Sequence, residues 1–361
     1  MDQTKKSTSE KAVKWLADRG IVNHIDMIEA IRIKQAEILY AEQDGVMIYE
    51  TDSQTCMIAA ENFEPCRQIL SQNTYHQFAV HQKELAEEIQ AQYHFATSVL
   101  TNQAAWMQKN APEFDDSGII ALKNEHAKEV CSFYGTMEDP GDYVRELISR
   151  GQLWGIFEGD RMAGFAGEHL EGSMGLLEIL PEYRRKRYGF RLEAFLIRHF
   201  LEHGKLPFCQ VIEGNTESMS LQKKLGMAII MITHDLGVVA DMADEIIVMY
   251  AGKIVEKGSN EEIFYNPRHP YTWALMNSVP RLDLDNKEQL VTIEGTIPDM
   301  IHPPKGCAFC SRCPYAMNIC AEYSPETIEL KGGHQVACWL TDPRADVSGV
   351  PFHTGGEQDE Q

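Results

Sequence analysis

Two stretches of this chain carry residue types that could do chemistry. The first is Glu178-Ile-Leu180-Pro-Glu-Tyr-Arg184-Arg185-Lys186-Arg187-Tyr188-Gly189. An apolar run ends, a block of cations follows, and a helical pattern begins. A turn of that kind aims backbone N–H groups and a helix N-terminus at one point, which suits a pyrophosphate. A solvated basic turn would read the same way without further context. The second stretch is Cys307-Ala-Phe-Cys310-Ser-Arg-Cys313-Pro, followed by Cys320 and Cys338. Four thiolates suit a [4Fe–4S] cluster or a structural zinc. Free thiols are the third reading. Cys56, Cys66, Cys131 and Cys209 are scattered and read as small buried hydrophobes.

The elements around the basic turn alternate between strand and helix. Helix is expected over 143–149, strands over 153–158, 162–169 and 175–180, helix over 191–203, strand over 207–212 and helix over 218–224. This alternation indicates an α/β sandwich. Upstream, helical spacing runs from Glu10 to about Ala41. A hairpin is expected over 45–60, a mostly helical stretch from Ala79 to about Lys109, a short strand at 118–122 and a helix over 126–134. Downstream, strand is expected over 228–232, helix over 236–242, strands over 245–250 and 254–258, one helical turn at 260–264 and a helix over 271–277. Residues 280–304 read as a linker.

The bulk properties are those of a soluble globular protein, with 361 residues, 43% of them hydrophobic and 24% charged. That length allows two or three domains. The net charge of −21 argues against nucleic-acid binding, which needs a basic footprint. The apolar runs are too short for membrane insertion, and the polar N-terminus has no apolar signal core, so a cytoplasmic protein is expected.

The basic turn resembles motif A of the GNAT acetyltransferases, in which Arg/Gln-x-x-Gly-x-Gly/Ala binds acetyl-CoA. The second glycine is Gly189, and Arg187 stands in place of the first. Farther on, Asn215-Thr-Glu-Ser218-Met-Ser-Leu221-Gln-Lys-Lys-Leu-Gly-Met227 is similar to the family's Asn-x-x-Ser/Ala-x-x-Leu-x-x-Lys-Leu-Gly-Phe. The resemblance covers about residues 118–227. It implies a mixed sheet with flanking helices and acetyl-CoA as cofactor. Leu180, Arg184, Arg185, Lys186, Arg187, Tyr188, Gly189, Asn215 and Ser218 would bind that cofactor, and Asn215 would cap the following helix. It also implies direct attack of an amine on the thioester. Glu178 is the expected base and Glu168 the runner-up, although either could simply face solvent. Gln222 stands where the family often has a tyrosine acid, so the general acid is unassigned.

From Ala228 onward the chain resembles a different family. Met231-Ile-Thr-His234-Asp-Leu-Gly through Ile254-Val-Glu-Lys-Gly258, continuing to Cys338-Trp-Leu, is similar to the end of oligopeptide and dipeptide ABC-transporter ATPases. The resemblance makes His234 a vestigial nucleotide residue and Cys307, Cys313, Cys320 and Cys338 the metal set. It also implies peptide-transporter subunits as partners and a place at the periphery of an inner-membrane transporter. No Gly-x-x-x-x-Gly-Lys-[Ser/Thr] occurs in the sequence, so ATP hydrolysis is not expected.

Five segments follow: a helical or degenerate GNAT-like lobe over 1–117, an acetyltransferase domain over 118–227, an incomplete ATPase α/β fragment over 228–280, a Cys-rich module over 281–342 and an unstructured tail over 343–361. The leading expectation is an N-acetyltransferase acting on a small-molecule or peptide amine, with a transporter-derived tail. The alternative is a fragment of a peptide-transporter ATP-binding subunit. The apolar run after Met227 is expected to supply the last strand of the acetyltransferase sheet, because an unpaired apolar edge would otherwise remain.

Overall fold

The computed structural model describes residues 3–95, 97–135, 139–233, 235–278, 293–299 and 302–354. His234 and most of the 280–304 linker lie outside the described residues. The chain divides into two compact units, 1–232 and 233–361. The boundary falls a few residues past the Gly226-Met227 junction.

The first unit opens with α1 (Gln3–Asp18) and α2 (Ile25–Arg32). The helical spacing expected up to Ala41 stops earlier. Lys34 takes a left-handed φ of 65°, and β1 (Ala36–Glu42) follows. β1 pairs antiparallel with β2 (Gly45–Glu50), and β2 with β3 (Thr55–Ala60), so the expected hairpin forms. After α3 (Glu64–Gln72), β4 (Gln77–Val80) joins β3 in parallel. This four-stranded sheet has a core on each face. Ile48 and Met57 pack under α1 and α2, while Met47 and Ile58 pack against Leu70, Leu85 and Ile89.

α4 (Lys83–Tyr93) leads to β5 (Thr101–Ala105), in a region whose sequence suggested helix. β6 (Ile119–Ala121), α5 (Ala127–Phe133) and α6 (Gly141–Ser149) come next. Then come β7 (Leu153–Glu158), β8 (Arg161–Glu168), β9 (Met174–Ile179), α7 (Tyr188–Glu202), β10 (Phe208–Ile212), α8 (Thr216–Leu225) and β11 (Ala228–Ile229). They form a seven-stranded sheet in the order β11-β5-β10-β9-β8-β7-β6. All pairings are antiparallel except β9 with β10. β11 lies beside β5, Ala228 opposite Ala105 and Ile229 opposite Ala104. The residues after Met227 therefore take the sheet edge, as expected, but over a two-residue pairing only.

The second unit contains α9 (Leu236–Met242), β12 (Glu245–Tyr250), β13 (Lys253–Ser259), α10 (Asn260–Tyr265), α11 (Pro270–Asn277), α12 (Asn318–Glu322), β14 (Ile328–Glu329) and β15 (Gln335–Val336). Its sheet runs β12-β13-β15-β14. Val248, Tyr250, Val255, Ile263 and Phe309 make a core that joins the ATPase-like strands to the Cys-rich module. At its centre the buried carboxylate of Glu256 accepts the backbone N–H of Arg268 and of His269 and contacts His334 Nε2 at 2.7 Å. One acidic side chain thus holds β13, the start of α11 and the strand pair β14–β15. The tail expected to be unstructured from 343 is packed as far as Thr354, with Phe352 against Trp273 and Tyr315. Among the described residues no helix is long and apolar enough to cross a membrane.

Candidate functional site

The site is made by a break in strand pairing. β9 and β10 share a single paired position, Met174 with Cys209. Beyond it the pairing stops. On the other side β9 is bulged against β8, with Phe165 opposite Glu178 and Gly167 opposite Gly175. Leu176, inside the bulge, has a left-handed φ of 53°. Bulges re-aim side chains and end pairing, and strained non-glycine residues cluster at functional sites. A cleft of about 1660 Å³ opens here, lined by β9, β10, α7 and α8 and by residues of β3 and β4.

The basic turn forms one wall. Pro181–Tyr183 make a single 3₁₀ turn, and Arg187 is the N-cap of α7. Arg187 stands at φ 65°, ψ 13°, and Arg185 at φ 61°. A side chain in the left-handed region costs roughly 1–2 kcal/mol, which glycine avoids. Arg187 adopts the backbone conformation that glycine would take freely. Arg185, Arg187, Tyr188 and Gly189 line the cleft at the head of the 15-residue α7. Among the described residues, neither Arg185 nor Arg187 has an ion-pair partner.

The other expected residues separate into two groups. Arg184 lines the cleft, but its guanidinium folds back on β9 and donates to the Ile179 carbonyl at 3.0 Å and to Glu178 Oε1 at 3.1 Å. Asn215 and Ser218 also line it, and Asn215 Oδ1 accepts the Ser218 N–H at 3.0 Å, capping α8 as expected. Two expected cofactor residues do not face the cleft. Leu180 is in the core, and Lys186 turns away to Glu158 at 3.3 Å. Glu178 is in the cleft wall, half-buried and paired with Arg184. Glu168 is not among the lining residues. It is buried, and its carboxylate is held by the ammonium of Lys205. It cannot serve as a free base while that pair stands.

Sequence reading missed the polar end of the cleft and a buried carboxyl beneath it. Tyr143 Oη lies 2.6 Å from His169 Nδ1, and Ser173 Oγ donates to Glu171 at 2.7 Å. His169 lies over Gly175 so closely that a Cβ there would come within 2.2 Å of Nε2, and the imidazole would have to shift to admit one. The buried carboxyl is Glu193 of α7, 6% exposed. Gln222 Nε2 donates to both of its oxygens, at 2.9 and 2.7 Å. Burial raises Glu193 from an ordinary 4.5 to about 7, against a smaller opposing effect of the Gln222 hydrogen bond. A signal for it exists in the sequence: Glu193 falls on the α7 stripe of Leu192, Leu196, Ile197 and Phe200, all buried.

The fold brings Cys307, Cys313, Cys320 and Cys338 near enough to interact electrostatically, and the Cys307 N–H donates to the Cys320 carbonyl at 2.8 Å. Among the described residues no group of three or more His, Cys, Asp or Glu is placed to hold a metal ion. Cys307, Cys310 and Cys313 surround one 3₁₀ turn, Cys320 is on α12 and Cys338 follows β15. Burial pushes the thiols of Cys307, Cys310 and Cys338 up and that of Cys313 up to about 12, and the neighbouring cysteines add to the rise.

Comparison with known proteins gives a different relative for each region. The family profile described as "FR47-like protein", which is GNAT-like, matches residues 154–234. The profile "Oligopeptide/dipeptide transporter, C-terminal region" matches residues 255–320. The oligopeptide transport ATP-binding protein OppD of Bacillus subtilis is 54% identical over 125 residues, which is 35% of this chain and 35% of that protein. The dipeptide transport ATP-binding protein DppD of the same organism is 51% identical over 126 residues, 35% of this chain and 37% of that one. The chain thus spans about a third of the length of these relatives. Among solved structures, a GCN5-related N-acetyltransferase-like protein from Streptococcus suis has a TM-score of 0.36 at 13% identity, covering 61% of this chain and 96% of that one. The chain joins a GNAT-like α/β fold to a C-terminal region related to the ATP-binding proteins of oligopeptide and dipeptide transporters.

Proposed function

We propose that the first unit is an acetyl-CoA-dependent N-acetyltransferase and that the cleft between β9 and β10 is its active site. One observation carries this reading: two guanidinium groups without ion-pair partners among the described residues, those of Arg185 and Arg187, stand at the head of α7 on the cleft wall. A helix N-terminus with cations beside it suits a pyrophosphate. Asn215 and Ser218 at the head of α8 would flank the pantetheine arm. An acceptor amine would enter on the side of Tyr143, His169, Glu171 and Ser173, where acidic and hydroxyl groups suit a small-molecule or peptide ammonium. Glu178 would take the amine proton, once Arg184 has moved from it toward the phosphates.

The test is calorimetric titration of the full chain with acetyl-CoA. Micromolar binding is expected, lost in the double variant Arg185→Ala, Arg187→Ala and kept in Lys186→Ala, whose side chain points elsewhere. Equal binding by the double variant, or none by the parent chain, would overturn the reading.

A second reading rests on the 54% identity to a transporter ATP-binding protein. On this reading the second unit docks on peptide-transporter subunits at the cytoplasmic face of a membrane and does not hydrolyse ATP. Co-purification with such subunits tests it. An iron–sulfur or zinc site in the Cys-rich module would draw on Cys307, Cys313, Cys320 and Cys338, which lie near enough to interact electrostatically.

A further inference from the structure

We propose that Glu193 is the proton donor to the leaving thiolate, with Gln222 as the residue that positions it. This rests on the acetyl-transfer reading of the cleft. The geometry begins with a side chain out of place. Glu193 lies on the buried stripe of α7 between Leu192 and Ala194, where an apolar residue would pack without desolvation cost. Glu193 is nonetheless among the residues that line the cleft. Among the described residues it has no ion pair. Its hydrogen-bond partner is the Gln222 amide of α8, and the titratable group facing it from β10 is the buried thiol of Cys209.

A buried carboxyl without a cation is stable when it holds a proton. The amide beside it can serve either form, donating to the carboxylate as placed or accepting from the acid's hydroxyl when turned over. As placed, Gln222 Nε2 faces both carboxyl oxygens, while Gln222 Oε1 is buried with no hydrogen-bond partner among the described residues, so turning the amide over would bring an acceptor to that hydroxyl. Which end of the amide faces the acid is a matter of assignment. Two tyrosine hydroxyls lining the cleft are engaged elsewhere. Tyr143 is bonded to His169, and Tyr188 donates to Glu158. The rise of the Glu193 carboxyl to about 7 agrees with a group that carries its proton near neutral pH.

The step balances as follows. The acceptor's nitrogen or oxygen forms a bond to the acetyl carbonyl carbon, and the carbon–sulfur bond breaks with its electron pair on sulfur. Glu193 gives its proton to that sulfur and becomes a carboxylate. The acceptor's proton leaves through Glu178, and solvent reprotonates Glu193 before the next turnover.

The experiment measures thiol release from acetyl-CoA by the full chain, with water as acceptor, from about pH 6 to about pH 9. Acetyl-CoA affinity is measured on the same samples. The parent rate is expected to fall above about pH 7 as Glu193 loses its proton. Glu193→Gln is expected to lose about 100-fold or more in rate, with affinity unchanged and the high-pH limb gone. Gln222→Leu keeps the acid but removes the bond that lowers its proton affinity, so the limb moves to higher pH. A parent-like rate and pH profile in Glu193→Gln, with acetyl-CoA bound, would overturn this proposal alone. Binding with no thiol release above the uncatalysed rate by the parent would do the same. No acetyl-CoA binding by the parent chain would overturn the acetyl-transfer reading, and this proposal with it.

Discussion

Replacing Glu193 with glutamine changes how the stability of the first unit depends on pH. The folded carboxyl titrates at about 7, against an ordinary 4.5, because burial disfavours its charge. A tenfold change in proton affinity corresponds to about 1.4 kcal/mol, so the full effect is about 3 kcal/mol. The sign follows from proton counting. Between the two values the folded state holds more protons than the unfolded state, so stability falls as pH rises. The contribution is fully present below about pH 4.5 and is lost as pH passes through about 7. Glutamine has nearly the same shape and no charge to desolvate. The parent and Glu193→Gln chains are therefore expected to be similarly stable near pH 5. Near pH 9 the parent is expected to be weaker by about 2–3 kcal/mol. Urea unfolding at both pH values, followed through the tryptophans, measures the difference, and the contribution of the second unit cancels in the comparison. Parallel pH dependences of the two chains would refute the assignment of a proton-holding carboxyl to this position.

Two further outcomes follow from the same site. Arg187→Gly releases a left-handed side chain at the N-cap of α7 and is expected to stabilise the first unit by up to about 1 kcal/mol, because the relief is partly offset by the freer unfolded chain; thermal unfolding reads it. Lys205→Ala strips the buried Glu168 of its ammonium partner and is expected to cost about 2–3 kcal/mol, below the range for fully buried pairs because Lys205 is partly open; denaturant unfolding reads it, and a catalytic Glu168 would instead show a loss of rate at unchanged stability.

Much of the GNAT-like fold was legible in the sequence because its elements are strongly periodic and punctuated. β7, β8, β9, α7, β10 and α8 all lie close to where apolar spacing put them. β5 was not legible. Thr101-Asn-Gln-Ala-Ala has no alternating β-branched pattern. It is a strand because β10 and β11 pair with it on either side, and Ala104 and Ala105 are buried by that pairing. Propensity gives way to tertiary context in such a strand. β1 was hidden by apolar residues that continue the spacing of α2, and the left-handed turn at Lys34 gave no composition signal. At the site, the arginines could be read from their position in a motif, but their partners could not. Arg184 pairs with Glu178, Lys186 with Glu158 and Glu168 with Lys205, contacts set by the bulge in β9 and by the path of the turn. Glu193 was passed over because a glutamate in a helix usually faces water, although its phase on the apolar stripe indicated otherwise.

On the proposed reading the first unit holds acetyl-CoA between β9 and β10. The measurement that tests it most directly is hydrogen–deuterium exchange on the full chain with and without acetyl-CoA. Protection confined to residues 174–191 and 209–224, with no change over 235–354, is the predicted result. Protection in the second unit, or no protection around the Arg184–Gly189 turn at saturating acetyl-CoA, would contradict it.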